Sequence, residues 1–154
     1  MKYKLSFYLL LVVLFALPRL THAVDYYWVG GTGKWSEYQK HWATTSGGTN
    51  FHSIVPSAFD NVIFDSNSHT KAFQVTLDQT VISCNNLSFD IDGISMKLSG
   101  NTNINFNIYG SIRFHQNLEV DYSGKFILKS SNTGNTIAQR GGEDFYTIIV
   151  GISF

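Results

Sequence analysis

The segment Trp28-Val29-Gly30-Gly31-Thr32-Gly33-Lys34-Trp35-Ser36, followed by His41-Trp42, gathers all three tryptophans and three glycines within fifteen positions. Three chemistries suit such a cluster. A phosphate-binding loop would need Gly, four residues, then Gly-Lys-Ser/Thr opening a helix, whereas here Lys34 is followed by Trp35. Trp28, Trp35 and Trp42 would make a sugar-stacking platform if their faces were open. They would equally cover the first coil of a stacked β-fold, each indole N–H left to a loop carbonyl. The spacing of seven and seven does not separate these two, but the ends of a stacked fold need covering, which favours the cap. The glycines then permit a sharp turn that folds two tryptophans against one surface.

Oxygen donors collect in Asp60-Asn61-Val62-Ile63-Phe64-Asp65-Ser66-Asn67. Calcium is the ion that Asp60, Asp65 and Asn67 would suit, although the Gly and distal Glu of an EF-hand loop are missing. Asp and Asn beside a strand more often close turns through their own backbone. No other cofactor is indicated. Asp90, Asp92, Glu119, Asp121 and His115 offer acid and base groups to a polysaccharide-active hydrolase or lyase, but their spacing marks no acid/base pair. His41, His52, His69 and His115 lack zinc-ligand spacing among themselves or with Cys84, and no Gly-x-Ser-x-Gly elbow is present. Cys84 is the single cysteine, so no intramolecular disulfide can form, and it reads as a small buried apolar residue.

Met1-Lys2-Tyr3-Lys4 is basic, Leu5 to Leu17 is apolar, and Thr21-His22-Ala23 offers small residues at the cleavage-determining positions. This is the pattern of a secretory signal peptide, and the apolar run falls short of the roughly 20 residues that span a bilayer. No cysteine follows it to carry a lipid. Beyond residue 23, eight basic and eleven acidic side chains remain, a net charge of −3. That balance disfavours a nucleic-acid partner, since no basic patch is left to follow a phosphate backbone. The expected compartment is beyond the inner membrane: periplasmic, extracellular or cell-surface.

Positioning these residues falls to short strands. After the polar loop Thr44-Thr45-Ser46-Gly47-Gly48-Thr49-Asn50, apolar runs alternate with Gly, Asn, Asp and Ser. Strands are predicted near Val62 to Phe64, Phe73 to Leu77, Leu87 to Phe89, Ser95 to Leu98, Ile104 to Tyr109, Ile112 to Phe114, Leu118 to Tyr122, Phe126 to Lys129, Thr136 to Ala138 and Tyr146 to Val150. Alternation is clearest where Asn occupies every odd position from 101 to 107. Ser36 to Ala43 holds at most a turn or two of helix. The chain is therefore all-β. Apolar peaks six to ten residues apart favour a parallel β-helix, a solenoid of stacked coils, over a β-sandwich. Lys97-Leu98-Ser99-Gly100, Ile108-Tyr109-Gly110-Ser111 and Asp121-Tyr122-Ser123-Gly124 each end a strand at a Gly/Ser corner, a degenerate repeat.

The last stretch, Phe145 to Phe154, is strongly β-prone and uncharged. Alternation of Tyr146, Ile148, Val150, Ile152 and Phe154 also fits the closing strand of an outer-membrane barrel, but a series of ten-residue membrane strands is lacking. A solenoid ending on such a strand leaves a sticky edge. The expected partner there is a further set of repeats or another protein, in keeping with a truncated or short relative of a longer array.

The tryptophan segment with His41-Trp42-Ala43-Thr44-Thr45-Ser46-Gly47-Gly48 and Pro56-Ser57-Ala58-Phe59-Asp60-Asn61-Val62-Ile63-Phe64-Asp65 resembles the N-terminal start of large adhesin-like surface proteins of bacteria with type IX secretion. More loosely, it is similar to autotransporter-associated β-strand repeat proteins. Later pieces follow suit, including Leu98-Ser99-Gly100, Ser131 to Ile137 and Phe145 to Ile149. The resemblance covers most of residues 26 to 150 and implies a right-handed β-helical segment of a secreted or surface-attached protein, with no catalytic role in its motifs. The chain departs from that pattern in lacking many further repeats, recognition modules and a C-terminal sorting domain. The resulting expectation is a signal peptide over 1–23, an aromatic cap and loop over 24–59, and a solenoid segment over 60–154. Its function is expected to be non-enzymatic and adhesin-like, with a glycan-binding module or a polysaccharide-active enzyme as the alternatives.

Overall fold

Short strands in which every second residue is apolar can bury only one face, and strands of four or five residues are too short to stand alone. Stacking them in register solves both problems. The computed structural model describes residues 23–141, and it winds them into such a stack. Its strands are β1 (Asp25–Trp28), β2 (Gly33–Lys34), β3 (Trp42–Ala43), β4 (Asn61–Asp65), β5 (Phe73–Thr76), β6 (Val81–Cys84), β7 (Leu87–Asp90), β8 (Met96–Gly100), β9 (Asn105–Ile108), β10 (Ile112–His115), β11 (Leu118–Tyr122), β12 (Lys125–Leu128) and β13 (Ile137–Arg140). One helical turn, α1 (Tyr38–His41), precedes β3. The signal-peptide expectation, the strand near Tyr146 and the barrel-type closing strand lie outside the described residues.

Three sheets form the walls. The first runs β3-β1-β4-β7-β10-β13, the second β2-β5-β8-β11, the third β6-β9-β12. Every pairing is parallel except that of β3 with β1. Strands β4 to β12 make three complete turns of a parallel β-solenoid, and a sandwich, which needs antiparallel ladders, is not formed.

Register puts like residues on top of one another inside the coil. Phe73, Met96 and Leu118 form one column, and Val75, Leu98 and Val120 the next. Ile82, Phe106 and Phe126 line the third sheet. Phe64, Phe89 and Phe114 stack along the first, with centroids 5.1 and 6.2 Å apart and planes within 13°. Each such ring pair contributes about 0.5–1.5 kcal/mol beyond the area it buries. Cys84 sits in this core, fully buried on β6, where burial pushes its thiol pKa up.

The corner between the third and first sheets holds the turns to a constant period. Asn61, Asn86, Ser111 and Thr136, each 25 residues on from the last, stand at the starts of the first-sheet strands, Asn61 opening β4 and the others just preceding β7, β10 and β13. The amides of Val62, Leu87 and Ile112 donate to the carbonyls of Asn86, Ser111 and Thr136. Side chains join the column: Asn61 Oδ1 accepts from Asn86 Nδ2 at 2.9 Å, and Asn86 Oδ1 accepts from Ser111 N–H at 2.7 Å. Asp25 Oδ1 takes the Asn61 Nδ2–H at 2.8 Å, extending the ladder to β1.

Candidate functional site

Three places gather the residues singled out by the sequence. The first is the N-terminal end. Gly30 and Gly31 turn with φ of 81° and 77°, a region open to glycine, and the carbonyl of Gly31 accepts the Trp28 indole N–H at 2.8 Å. Trp42 Nε1 donates to the Trp35 carbonyl at 2.9 Å. The rings of Trp28 and Trp35 each meet Trp42 edge-on, at 4.9 and 4.7 Å, and Trp35 packs on Phe106 deep in the coil. All three indoles have 0% exposure. A sugar platform needs an open indole face, and none of Trp28, Trp35 or Trp42 presents one; the glycan expectation gives way to a hydrophobic plug. Strand β3 completes the closure by lying antiparallel on β1, pairing Trp42 with Trp28. The segment expected as a separate cap thus contributes β1 and β2 as ordinary rungs, and only α1, β3 and the loop beyond them close the end.

Histidines brace this plug. The His41 Nδ1–H donates to the Val29 carbonyl at 2.7 Å, and His52 stacks on Tyr26 at 3.6 Å. Glu37, at the start of α1, accepts from Lys40 Nζ at 2.8 Å and from the Lys34 N–H at 2.9 Å. These two bonds, the Lys40 one first, draw its carboxyl down to about 2.

The second place is the proposed calcium set. Asp60 immediately precedes β4 and Asp65 ends it, five residues and therefore about 16 Å apart along an extended strand. No single ion can bridge them. Asp60 Oδ2 accepts from the Ser57 N–H at 2.9 Å and from its hydroxyl, Asp65 Oδ1 accepts from the Asn67 N–H at 2.9 Å, and Asn67 Nδ2 donates to Ser46 Oγ at 2.8 Å. These oxygens close turns, the ordinary work of Asp and Asn beside strands. Among the described residues no group of three or more His, Cys, Asp or Glu is placed to hold a metal.

The third place is the outer surface of the last coils, where the acid/base candidates separate into two groups. On the first sheet, Asp90 accepts from Ser88 Oγ at 2.7 Å and pairs with Arg113 and Arg140 at 3.3 and 3.5 Å. Partial burial raises the Asp90 carboxyl, but the Ser88 hydroxyl and the two guanidinium groups outweigh it and hold the carboxyl below its usual range. Asp92 receives Arg140 at 2.8 Å and His115 Nε2 at 3.0 Å. The Asn117 N–H donates to His115 Nδ1 at 3.1 Å, so the imidazole is held between that amide and Asp92. On the second sheet, Lys97 forks to Glu119 at 3.0 Å and Asp121 at 2.9 Å. Each carboxylate meets a cation from another coil, Arg113 and Lys97 one coil away from their partners and Arg140 two, an arrangement that ties coils together. Spacing in the sequence hid these ties because their partners stand one or two coils apart.

Above the last complete coil lies a cavity of about 740 Å³. Phe114, Leu118, Tyr122 and Phe126 line it, with His115 and Val120 at its margin. The Tyr122 hydroxyl donates within this end, lying 2.5 Å from the Ile104 carbonyl and 2.8 Å from that of Lys125, while burial pushes its pKa up to about 12. Comparison with protein-family models, curated proteins and solved structures finds no match. No helix among the described residues is long and apolar enough to cross a membrane.

Proposed function

We propose that the chain is a non-enzymatic, adhesin-like structural segment of an exported or surface-attached protein. What carries this reading is the employment of the polar and ionic side chains: Asp90 with Arg113 and Arg140, Asp92 with His115 and Arg140, and Lys97 with Glu119 and Asp121 link one coil to another. A solenoid braced in this way serves as a rigid spacer whose length is set by its coil number. The basic leader, apolar run and Thr21-His22-Ala23 add the export component.

Expression of the whole chain in a Gram-negative host, followed by fractionation and mass spectrometry, tests the proposal. The product is expected beyond the inner membrane with Val24 as its first residue. A cytoplasmic product retaining residues 1–23 would sink the export half, and turnover of a polysaccharide lost on Asp92→Asn would sink the non-enzymatic half.

A further inference from the structure

We propose that the outer edge of β11 is a docking site for an extended strand of a partner polypeptide, one that alternates apolar and basic side chains. The ladder itself defines the seat. Val120 occupies the same column as Val75 and Leu98, both fully buried, yet Val120 is 45% exposed. Leu118 and Tyr122, on the same face, line the cavity beside it. The second sheet ends on β11 among the described residues, although the first sheet continues one strand further with β13. An added parallel strand would cover Val120 and pair the edge, the mode known as β-augmentation.

Charge selects the occupant. On the outward face of β11 the side chains of Glu119 and Asp121 are 68% and 64% exposed, and the two share one cation, Lys97, from the rung below. A basic residue on the rung above would repeat that fork from the other side. Complementary charges across neighbouring strands favour pairing, and like charges oppose it. A second copy of the chain docking β11 edge to edge about a two-fold axis through Val120 would set Glu119 against the other copy's Asp121. Positions 142–154 supply no basic residue, Glu143 and Asp144 being acidic and Phe145 to Phe154 uncharged. A basic strand of a partner is the better charge match to Glu119 and Asp121. The seat is independent of where the chain is delivered.

The test uses the full chain and three short synthetic peptides: alternating valine and lysine, alternating valine and glutamate, and the lysine peptide interrupted by proline. Fluorescence anisotropy is expected to give binding of the lysine peptide about ten-fold or more tighter than either control, a difference of about 1.4 kcal/mol. Amide exchange should slow over Leu118–Tyr122 only when that peptide is present. The E119K/D121K variant should reverse the preference toward the glutamate peptide; continued inertness of Cys84 to thiol reagents would show that this variant is folded. Equal binding of all peptides would overturn the proposal. So would β11 amides already protected without peptide: protection independent of protein concentration would assign the edge to the chain's own residues, and concentration-dependent protection would assign it to a second copy.

Discussion

The imidazole of His41 lies flat on the indole of Trp28, centroids 4.5 Å apart and planes 2° from parallel. The same ring leaves no room at Gly33, where an added Cβ would overlap His41 Nε2. Gly33→Ala is therefore expected to destabilise the fold by about 1–3 kcal/mol through overpacking. Urea unfolding of Gly33→Ala, His41→Ala and the double variant would measure it. The double variant should be less damaged than the sum of the singles, because removing the ring removes the clash. Strict additivity would mean that the alanine methyl never meets His41.

Trp35 and Trp42 are equally buried but differently satisfied. Trp42 donates its N–H to the Trp35 carbonyl, whereas the Trp35 N–H has no partner among the described residues. Removing a paired donor forfeits a bond and strands its acceptor; removing an unpaired one relieves a desolvated group. Trp42→Phe should therefore cost about 1 kcal/mol or more beyond Trp35→Phe. Denaturant midpoints of the two variants decide the order.

Acid should loosen α1 before it affects the coils' apolar core. The Glu37 carboxyl titrates at about 2 in the fold against 4.5 ordinarily. A depressed carboxylate adds stability that is fully present above the ordinary value and lost as pH falls through the folded one. The Tm of the natural chain should exceed that of Glu37→Gln at neutral pH. That difference should narrow as pH drops from 4.5 toward 2. A gap independent of pH in this window would show that the Lys40 and Lys34 bonds do not form in solution.

Asn86 gives one bond to the coil before it and takes one from the coil after it. Asn86→Ala should cost about 1–3 kcal/mol, since its two half-buried partners, Asn61 and Ser111, are left without it. Asn86→Asp keeps the acceptor for Ser111 N–H and loses the donor to Asn61, so its loss should be intermediate unless the new charge dominates. Calorimetry at pH 3 and pH 7 separates the two effects, the charge being present only at the higher pH.

Period-2 alternation made most strands legible, from Val62 onward to Ala138, within a residue or two of their ends. Two things escaped it. Strand β6, Val81–Cys84, escaped because its outward Val81 is itself apolar and 60% exposed, so the run shows no polar face. Asn107 misled in the other direction: the odd-position asparagines from 101 suggest one solvated face, but Asn107 is buried and its Nδ2 lies 3.4 Å from the Ile82 carbonyl. The true period was obscured as well. Gly/Ser corners at Gly100 and Gly124 belong to one corner of the coil and Gly110 to another, so comparing them cannot reveal a 25-residue repeat. Asn61, Asn86, Ser111 and Thr136 carry that repeat with three different residue types, all able to hydrogen-bond across the corner. For the tryptophans, spacing could not distinguish plug from platform; the difference lies in the direction each ring faces, which β3 decides by folding back on β1.

The constant 25-residue step between Asn61, Asn86, Ser111 and Thr136 governs how such a chain can change in length. The turn between the first and second sheets shortens along the chain, from seven residues after β4 to five after β7 and two after β10. The turn from the third sheet back to the first lengthens from two after β6 to three after β9 and eight after β12. The perimeter is conserved while its parts are redistributed, as in a belt of fixed circumference drawn around a changing cross-section. Small insertions are thus absorbed by compensating deletions elsewhere in the same lap. Excision of 25 residues, from Asn86 through Gly110, would bring Asn85 directly to Ser111 and leave the hydrogen-bonding column at that corner unbroken.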